Sequence, residues 1–253
     1  MRKKWILVMA LALVLVGASF SWAETLDTVK KNGYITIAVA AGSPPFSFVD
    51  AQTTKDTGFD VEYAKEVANH LGVKPKILMV EWAGILPGLL AGKYDMIIGS
   101  MAITESRQKQ ANFSKSYYVS GAQLIVKKDN TEITSLDDCK NKKIGVTVGT
   151  TYEEKALQVP GVKVVTYKTE VDQLMDLVNG NIDAIITDKY IGAYTIKESN
   201  LPLKLAGGLI YEEILGIPVR KQDPKLLEEL NKAVETITND GTFDRLATKW
   251  FGI

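Results

Sequence analysis

The chain has 253 residues, 30 acidic and 30 basic side chains, one cysteine and one histidine. This charge balance disfavours a nucleic-acid binder, which needs a basic surface to neutralise phosphates. A single cysteine, Cys139, excludes an internal disulfide, and with His70 it provides too few nitrogen and sulfur ligands for a typical zinc site. We therefore expect no metal and no cofactor, a buried and unreactive thiol at Cys139, and an exposed His70 on a helix surface.

The first 23 residues have the pattern of an export signal. Three basic residues at 2–4 precede an unbroken apolar run at 5–16, and residues 21–23 offer a cleavage site that ends in Ala23. The run is shorter than the roughly 20 residues of a membrane-spanning helix, so an uncleaved anchor is the less favoured alternative. We predict cleavage after Ala23, which removes three basic residues and leaves a soluble chain with a net charge of −3. No cysteine follows the run, so we expect no lipid anchor.

Short β-rich runs alternate with helical patterns through the rest of the chain. Such alternation predicts parallel sheets flanked by helices. Glycines that follow two of the helical patterns, Gly72 and Gly92, are typical helix C-terminal residues. In chain order, the predicted elements are a strand at 34–40, a helix at 60–71, a strand at 76–80, a helix at 85–90, a strand at 143–148, a helix from 150, a helix at 170–178 and helices within 224–253.

An internal repeat indicates how these elements are organised. Residues 90–100 and 178–188 match position for position in a helix end, a glycine, an aspartate and an apolar strand. The repeat predicts two similar α/β lobes. Each copy ends in a polar residue, Ser100 or Asp188, at the carboxyl edge of a sheet, where open α/β sheets bind ligands.

Each copy of the repeat also contains an aspartate just before its strand, Asp95 in the first and Asp183 in the second. Two carboxylates invite a catalytic interpretation. Both lie at the edge opposite to the expected site, however, and aspartate is common in turns. We therefore interpret the two as structural and expect no catalytic residues.

Two further features fit a small zwitterion bound between the lobes. Arg107 follows the first repeat and could fold its guanidinium over the edge at Ser100, although a lone arginine there is more often a surface charge. Thr150 and Glu153 have the spacing of a capping box, which predicts a helix start with free N–H groups or an ordinary cap without a ligand. A carboxylate requires a cation and N–H donors, and an ammonium requires a carboxylate, so Arg107 and Asp188 would meet the two needs.

The chain from about residue 35 onward resembles the family 3 extracellular solute-binding proteins of bacterial ABC importers. This group includes glutamine-, histidine- and lysine/arginine/ornithine-binding proteins. Each matching segment is short, and the evidence lies in their number and order. The segments are 45–48, 58–61, 81–82 through 94–95, 101–104 with Arg107, 113–114 with 117–118, 144–146, 149–152, 183–184 with Asp188, and 240–243.

The resemblance implies an α/β protein with the type II fold of periplasmic binding proteins, in which a two-stranded hinge joins two Rossmann-like lobes. It also implies a periplasmic location, a free amino acid as ligand, the membrane permease of an ABC importer as partner, and a monomer that does not bind nucleic acid. The expected boundaries are 1–23 for the signal peptide, 24–117 plus 218–253 for lobe one, 118–121 and 209–217 for the hinge, and 122–208 for lobe two.

The resemblance further implies a role for particular residues. Arg107 would bind the ligand carboxylate with help from backbone N–H groups, Asp188 would accept from the ammonium, and Trp82 would stack on the ligand side chain. A core tryptophan is the alternative for Trp82. The full expected site consists of Ser43, Trp82, Ser100, Ala102, Arg107, Thr150, Thr151 and Asp188.

Three small residues depart from the pattern of many relatives. Ala40 stands where relatives with cationic or polar ligands carry an acid, Ala102 replaces a serine or threonine, and Ser43 replaces an aromatic residue of some relatives. The missing acid favours a neutral or polar amino acid over lysine or ornithine, and Trp82 could still receive an arginine. Glu81 or a bridging water could substitute for it.

Two other functions compete with ligand binding for transport. A periplasmic dehydratase of cyclohexadienyl type on the same fold would need a general acid, for which Glu81 and Lys189 are weak candidates. A sensory domain of a receptor would need a second membrane span, and the sequence given has none. We therefore expect a binding protein that is not an enzyme.

Overall fold

The structure is a computed structural model that describes residues 25–252, and the predicted signal at 1–23 lies outside the described residues. The helices are α1 (Thr25–Asn32), α2 (Phe59–His70), α3 (Trp82–Leu90), α4 (Glu105–Gln110), α5 (Thr151–Leu157), α6 (Glu170–Asn179), α7 (Lys189–Ser199), α8 (Pro224–Asn239) and α9 (Thr242–Phe251). The strands are β1 (Tyr34–Ala40), β2 (Phe48–Val49), β3 (Asp56–Thr57), β4 (Lys74–Val80), β5 (Met96–Ile97), β6 (Ala111–Phe113), β7 (Tyr118–Lys127), β8 (Lys143–Thr147), β9 (Lys163–Tyr167), β10 (Ala184–Asp188), β11 (Leu203–Leu215) and β12 (Pro218–Arg220).

The strands form two five-stranded sheets and a small hairpin of β2 and β3. The first sheet has the order β4-β1-β5-β12-β6, and we call it, with the helices packed on it, lobe one. The second sheet has the order β9-β8-β10-β7-β11, and we call it, with α5, α6 and α7, lobe two. In each sheet the first three strands are parallel and the last two are antiparallel to their neighbours. The internal repeat thus corresponds to two sheets of matching topology.

The repeated aspartates have the same contacts in the two lobes. Asp95 accepts a hydrogen bond from the backbone N–H of Thr36 at 2.9 Å, and Asp183 accepts one from Lys143 at 2.7 Å. In each case the partner lies at the start of the neighbouring parallel strand. The carboxylates therefore fix where two strands begin, which confirms the predicted structural role.

Two antiparallel strands connect the lobes. β7 leaves lobe one at Tyr118, and β11 returns to it at Leu215, with these two residues paired. Leu215 also forms an isolated bridge with Ala102 of lobe one. The chain then continues into α8 and α9, whose buried faces pack on α2 within lobe one. The C-terminal helix also reaches lobe two, because Phe251 stacks on Tyr190 at the start of α7 with 4.3 Å between ring centroids.

The single cysteine and the single histidine lie in different lobes. Cys139 is fully buried at the end of a 3-10 turn (Leu136–Cys139), and burial raises the pKa of its thiol to about 11. His70 is exposed at the last position of α2. Both observations confirm the predictions from the sequence.

Candidate functional site

A cavity of about 530 Å³, including the part open to solvent, lies between the two lobes. All eight residues of the expected site line it. The carboxyl ends of β1 and β5 approach it from lobe one, and those of β8 and β10 approach it from lobe two. The cavity therefore occupies the place where facing sheet edges bring together polar side chains from distant parts of the sequence.

Arg107 extends into this cavity from α4. Thr104 caps that helix by accepting from the backbone N–H of Arg107, and the guanidinium donates through Nη1 to the carbonyl of Ala102 at 3.0 Å. Within residues 25–252, no carboxylate lies within ion-pair distance of the guanidinium. Burial lowers the pKa of Arg107, and the side chain still carries a positive charge at neutral pH because arginine titrates far above it. The cavity thus contains a cation that no carboxylate of the described residues neutralises by an ion pair.

The carbonyl of Gly149 joins two lobe-one side chains to lobe two. It accepts from Trp82 Nε1 at 3.1 Å and from Arg107 Nη2 at 3.3 Å. The guanidinium also lies over the Trp82 ring, 5.5 Å from its centroid. The indole is half-buried: it lines the cavity and also packs against the hydrophobic cluster that contains Ile85 and Leu89.

Asp188 supplies a carboxyl group from the opposite lobe. It ends β10, caps α7 by accepting from the backbone N–H of Tyr190 at 2.7 Å, and is almost fully buried. Burial raises the pKa of this carboxyl to about 7. A cationic ligand group would favour the ionised form and would bind there in preference to water.

Asp60, which we did not predict, lies across the cavity from Asp188. It is fully buried at the start of α2 and accepts from Ser100 Oγ at 2.8 Å and from Tyr117 Oη at 2.9 Å. Burial, with a contribution from the negative charge of Asp188, raises its pKa to about 7. The two carboxyls repel each other when both ionise, so an ammonium between the lobes would relieve the repulsion. Asp60 lies within the matching segment 58–61, a signal that could have identified it.

Two glutamates that line the cavity were also missed. Glu170, the first residue of α6, accepts from Thr147 at 3.1 Å and from Thr187 at 2.9 Å, and burial raises its pKa to about 7. Glu213 on β11 accepts from the hydroxyls of Thr151 and Tyr152, and burial raises its pKa as well. Neither glutamate stands in a recognisable motif, and only the packing of distant strands brings them to the cavity.

The helix start at α5 differs in one detail from the predicted capping box. Thr150 caps the helix as expected, because its Oγ1 accepts from the backbone N–H of Glu153. The carboxylate of Glu153, however, accepts from the N–H of Gly149 at 2.7 Å instead of that of Thr150. Gly149 has a φ of 76°, in the left-handed region, and this turn brings its N–H within reach. The other hydrogen bond that a capping box predicts, from the N–H of Thr150 to the carboxylate of Glu153, is therefore wrong.

The sequence-family model of the bacterial extracellular solute-binding proteins, family 3, matches residues 35–253. The chain belongs to this family.

Several known proteins are similar to this chain over most of its length. The L-cystine-binding protein TcyJ of Escherichia coli (strain K12) is 38% identical over 97% of this chain and 93% of its own. A solved ancestral arginine-binding protein bound to arginine is 40% identical, with a TM-score of 0.83, over 87% of this chain and 99% of that one. The ancestral amino acid-binding protein AncCDT-1, a precursor of cyclohexadienyl dehydratase, is 37% identical, with a TM-score of 0.84, over 90% and 99%. These matches confirm the predicted two-lobed fold.

One wall of the cavity is lined by small side chains. Ala40 and Ser43 line it from lobe one, beside a loop in which a side chain added at Gly42 would lie 3.9 Å from the Cβ of Thr169 in lobe two. Ala102 also lines the cavity, from an isolated β-bridge with Leu215, and its carbonyl accepts from Arg107. The wall at Ala40 and Ser43 therefore faces the N-terminal end of α6.

Two kinds of feature are absent from the part of the chain that the structure describes. Within residues 25–252, no helix is long and apolar enough to cross a membrane. No group of three or more His, Cys, Asp or Glu side chains in this range is arranged to hold a metal ion.

Proposed function

We propose that this protein binds one free amino acid in the cavity between its lobes and delivers it to the membrane permease of an ABC importer. One observation carries the proposal: Arg107, which forms no ion pair with a carboxylate of residues 25–252, and a buried carboxyl, Asp188, line the same cavity from opposite lobes. A free amino acid has the complementary pair of charges. The names of the similar proteins, which bind cystine or arginine, support the same class of ligand.

The proposed contacts follow from the positions of these groups. Arg107 binds the ligand carboxylate as a two-pronged donor, helped by the backbone N–H groups of Ala102 and of Thr150 and Thr151 at the α5 start. Asp188 accepts from the ligand ammonium. On the lobe-one side, Ser100 completes this ammonium site. Trp82 covers the ligand side chain, and Ser43 lines the wall beyond it.

We propose that binding is coupled to closure of the lobes. The hinge consists of residues 118–121 and 209–217, lobe one of 24–117 plus 218–253, and lobe two of 122–208. The ligand first contacts lobe one, and lobe two then adds its donors and Asp188, so that water leaves the cavity and each charged contact strengthens. Micromolar or tighter binding, about −8 kcal/mol or better, is the expected result. The permease would recognise the closed form.

The proposal places the mature protein in the periplasm as a monomer without a cofactor. Cleavage after Ala23 would give a mature chain that begins at Glu24. Mass spectrometry of the exported protein tests the cleavage site, and its elution in size-exclusion chromatography with light scattering tests the monomer. A mature chain with any other N-terminus would contradict the first point.

Thermal-shift screening of the ligand-free protein against the standard amino acids and L-cystine tests the function. A ligand at ~1,000-fold excess over its Kd stabilises the folded state by about 4 kcal/mol. Arg107→Ala and Asp188→Asn should each remove the shift. Matched changes on the surface, Arg245→Ala and Asp137→Asn, should leave it intact. If no free amino acid shifts the melting temperature, the proposal is wrong.

We also propose that the protein releases its ligand chemically unchanged. The similarity to AncCDT-1 makes a dehydratase the alternative to test. Incubation of the protein with a prephenate-like acid, followed by mass spectrometry, would detect loss of water and carbon dioxide. Product formed at a rate proportional to protein concentration, and lost in Asp188→Asn, would contradict a pure binding role.

A further inference from the structure

The cavity contains more acidic groups than a simple zwitterion can use. Four carboxyl side chains line it, those of Asp60, Glu170, Asp188 and Glu213, against the single guanidinium of Arg107. An α-ammonium would interact with Asp60 and Asp188, which face each other across the lobes. Glu213 accepts from the hydroxyls of Thr151 and Tyr152, and the charge of Arg107 acts to lower its pKa without an ion pair between the two. Glu170 is then left without a cationic partner.

The surroundings of Glu170 suit an ionised carboxylate. It is 5% exposed, and both of its oxygens accept hydrogen bonds, from the hydroxyls of Thr147 and Thr187 and from the amide of Gln173. All three donors are neutral, and no lysine or arginine of the described chain forms an ion pair with it. An unpaired buried charge costs several kcal/mol. In the ligand-free protein this cost raises the pKa of Glu170 to about 7, and a cation would remove it.

The position of Glu170 is also suitable for such a cation. It follows Thr169, whose Cβ lies across the cleft from Gly42 in the loop that connects Ala40 with Ser43. Both of these small residues line the cavity, as Glu170 does. Ala40 and Ser43 of lobe one and the carboxylate of Glu170 in lobe two therefore line the same cavity from opposite walls. Ala40 stands where many similar proteins with cationic or polar ligands carry an acid, and in this chain Glu170 places an acid on the opposite wall.

We infer that the ligand carries a second cationic group, an ammonium or a guanidinium at the end away from its carboxylate site, and that Glu170 receives it. This inference rests on the proposed function and departs from the neutral or polar ligand that Ala40 suggested from the sequence. Two amino acids that carry such a second cationic group are arginine, with its guanidinium, and cystine, with its second ammonium. It excludes ligands whose far end is uncharged.

Isothermal titration calorimetry of ligand-free protein at pH 7.5 can test this with matched ligand pairs. L-Arginine is compared with L-citrulline, which has nearly the same shape but an uncharged end. L-Cystine is compared with S-methylthio-L-cysteine, which keeps the disulfide but lacks the second amino-acid head. We expect at least one charged member to bind ten-fold or more tightly than its uncharged counterpart, and the pair that shows this preference identifies the source of the charge.

The variant Glu170→Gln tests whether this residue makes the distinction. It should reduce the ratio within the preferred pair to less than three-fold while it binds the uncharged member normally, which also shows that it is folded. Asp137→Asn removes one exposed charge from the same lobe and should keep the wild-type ratio. Equal binding of both members of each pair by the wild type, or an unchanged ratio in Glu170→Gln, would overturn the inference while the proposed function stands. Binding of no amino acid at all would overturn both.

Discussion

Trp82 Nε1 donates to the carbonyl oxygen of Gly149 at 3.1 Å, and this hydrogen bond joins lobe one to lobe two at the mouth of the cavity. Arg107 donates to the same oxygen. A side chain on Gly149 would contact the indole, because an added Cβ would lie 3.9 Å from Trp82 Cδ1. The same residues that we propose as ligand contacts therefore also contribute to holding the lobes together.

Trp82→Phe should weaken ligand binding by about three- to ten-fold. The change keeps an aromatic face for the ligand but removes the hydrogen bond between the lobes, whose net value is about 0.5–1.5 kcal/mol. Calorimetric titration of the identified amino acid measures the effect. Trp250→Phe is the matched control, since the indole of Trp250 donates to Glu62 within lobe one. An equal loss of affinity in both variants would show that the Gly149 contact has no special role in closure.

Arg107→Lys should weaken binding by ten- to 100-fold even though the positive charge remains. An ammonium has only three N–H donors, so it cannot make the two parallel hydrogen bonds that a guanidinium offers to a carboxylate and also donate to both Ala102 and Gly149. The Kd from calorimetry measures this loss, and the melting temperature of the ligand-free variant should stay close to that of the wild type. Arg245→Lys on the surface of α9 is the control. Wild-type affinity in Arg107→Lys would show that a point charge suffices.

The ligand-free protein should lose stability as the pH rises from about 5 to 8. Burial raises the pKa of Asp60, Glu170 and Asp188 to about 7, well above their ordinary values. Between those values the folded state binds more protons than the unfolded state, so the free energy of unfolding decreases with pH. This stability is complete at pH below the ordinary pKa values and is lost as the pH passes the folded values.

Melting temperatures measured across this pH range check the direction. Asp60→Asn, which removes one of these titrating groups, should reduce the slope. The carboxyls whose pKa is lowered, such as Asp138, titrate at lower pH and do not contribute in this window. A bound amino acid should raise the melting temperature most at the alkaline end, where its ammonium meets ionised carboxylates. A melting temperature that rises steadily from pH 5 to 8 without ligand would contradict the assignment.

Cys139 should react slowly with thiol reagents in the native protein. Its side chain is fully buried, its Sγ donates to the carbonyl of Ser135, and burial raises the pKa of the thiol to about 11, so little thiolate exists at pH 8. A colorimetric disulfide-exchange assay should show modification at least 100-fold slower than in denaturant. Fast modification would mean that this part of lobe two opens readily.

Local patterns allowed much of the fold to be predicted. The repeat at 90–100 and 178–188 predicted two lobes because a glycine stop followed by an apolar strand is a property of adjacent residues. The same strand ends predicted a place for Ser100 and Asp188 at the carboxyl edges of the sheets, where both line the cavity. The predicted helix at 60–71 differs from α2 by one residue at each end, since apolar spacing indicates which face is buried but not the last hydrogen bond.

The remaining part of the site depended on contacts that no local pattern contains. Asp60 reaches Ser100 and Tyr117 across 40 and 57 positions of sequence, and Glu213 reaches Thr151 across 62. The sequence by itself determined the two lobes, the export pattern and the two charged residues most suited to a zwitterion. Only the tertiary structure decided how many carboxyls surround them, because burial and charge at the cavity depend on how the sheets and helices meet, not on their order in the chain.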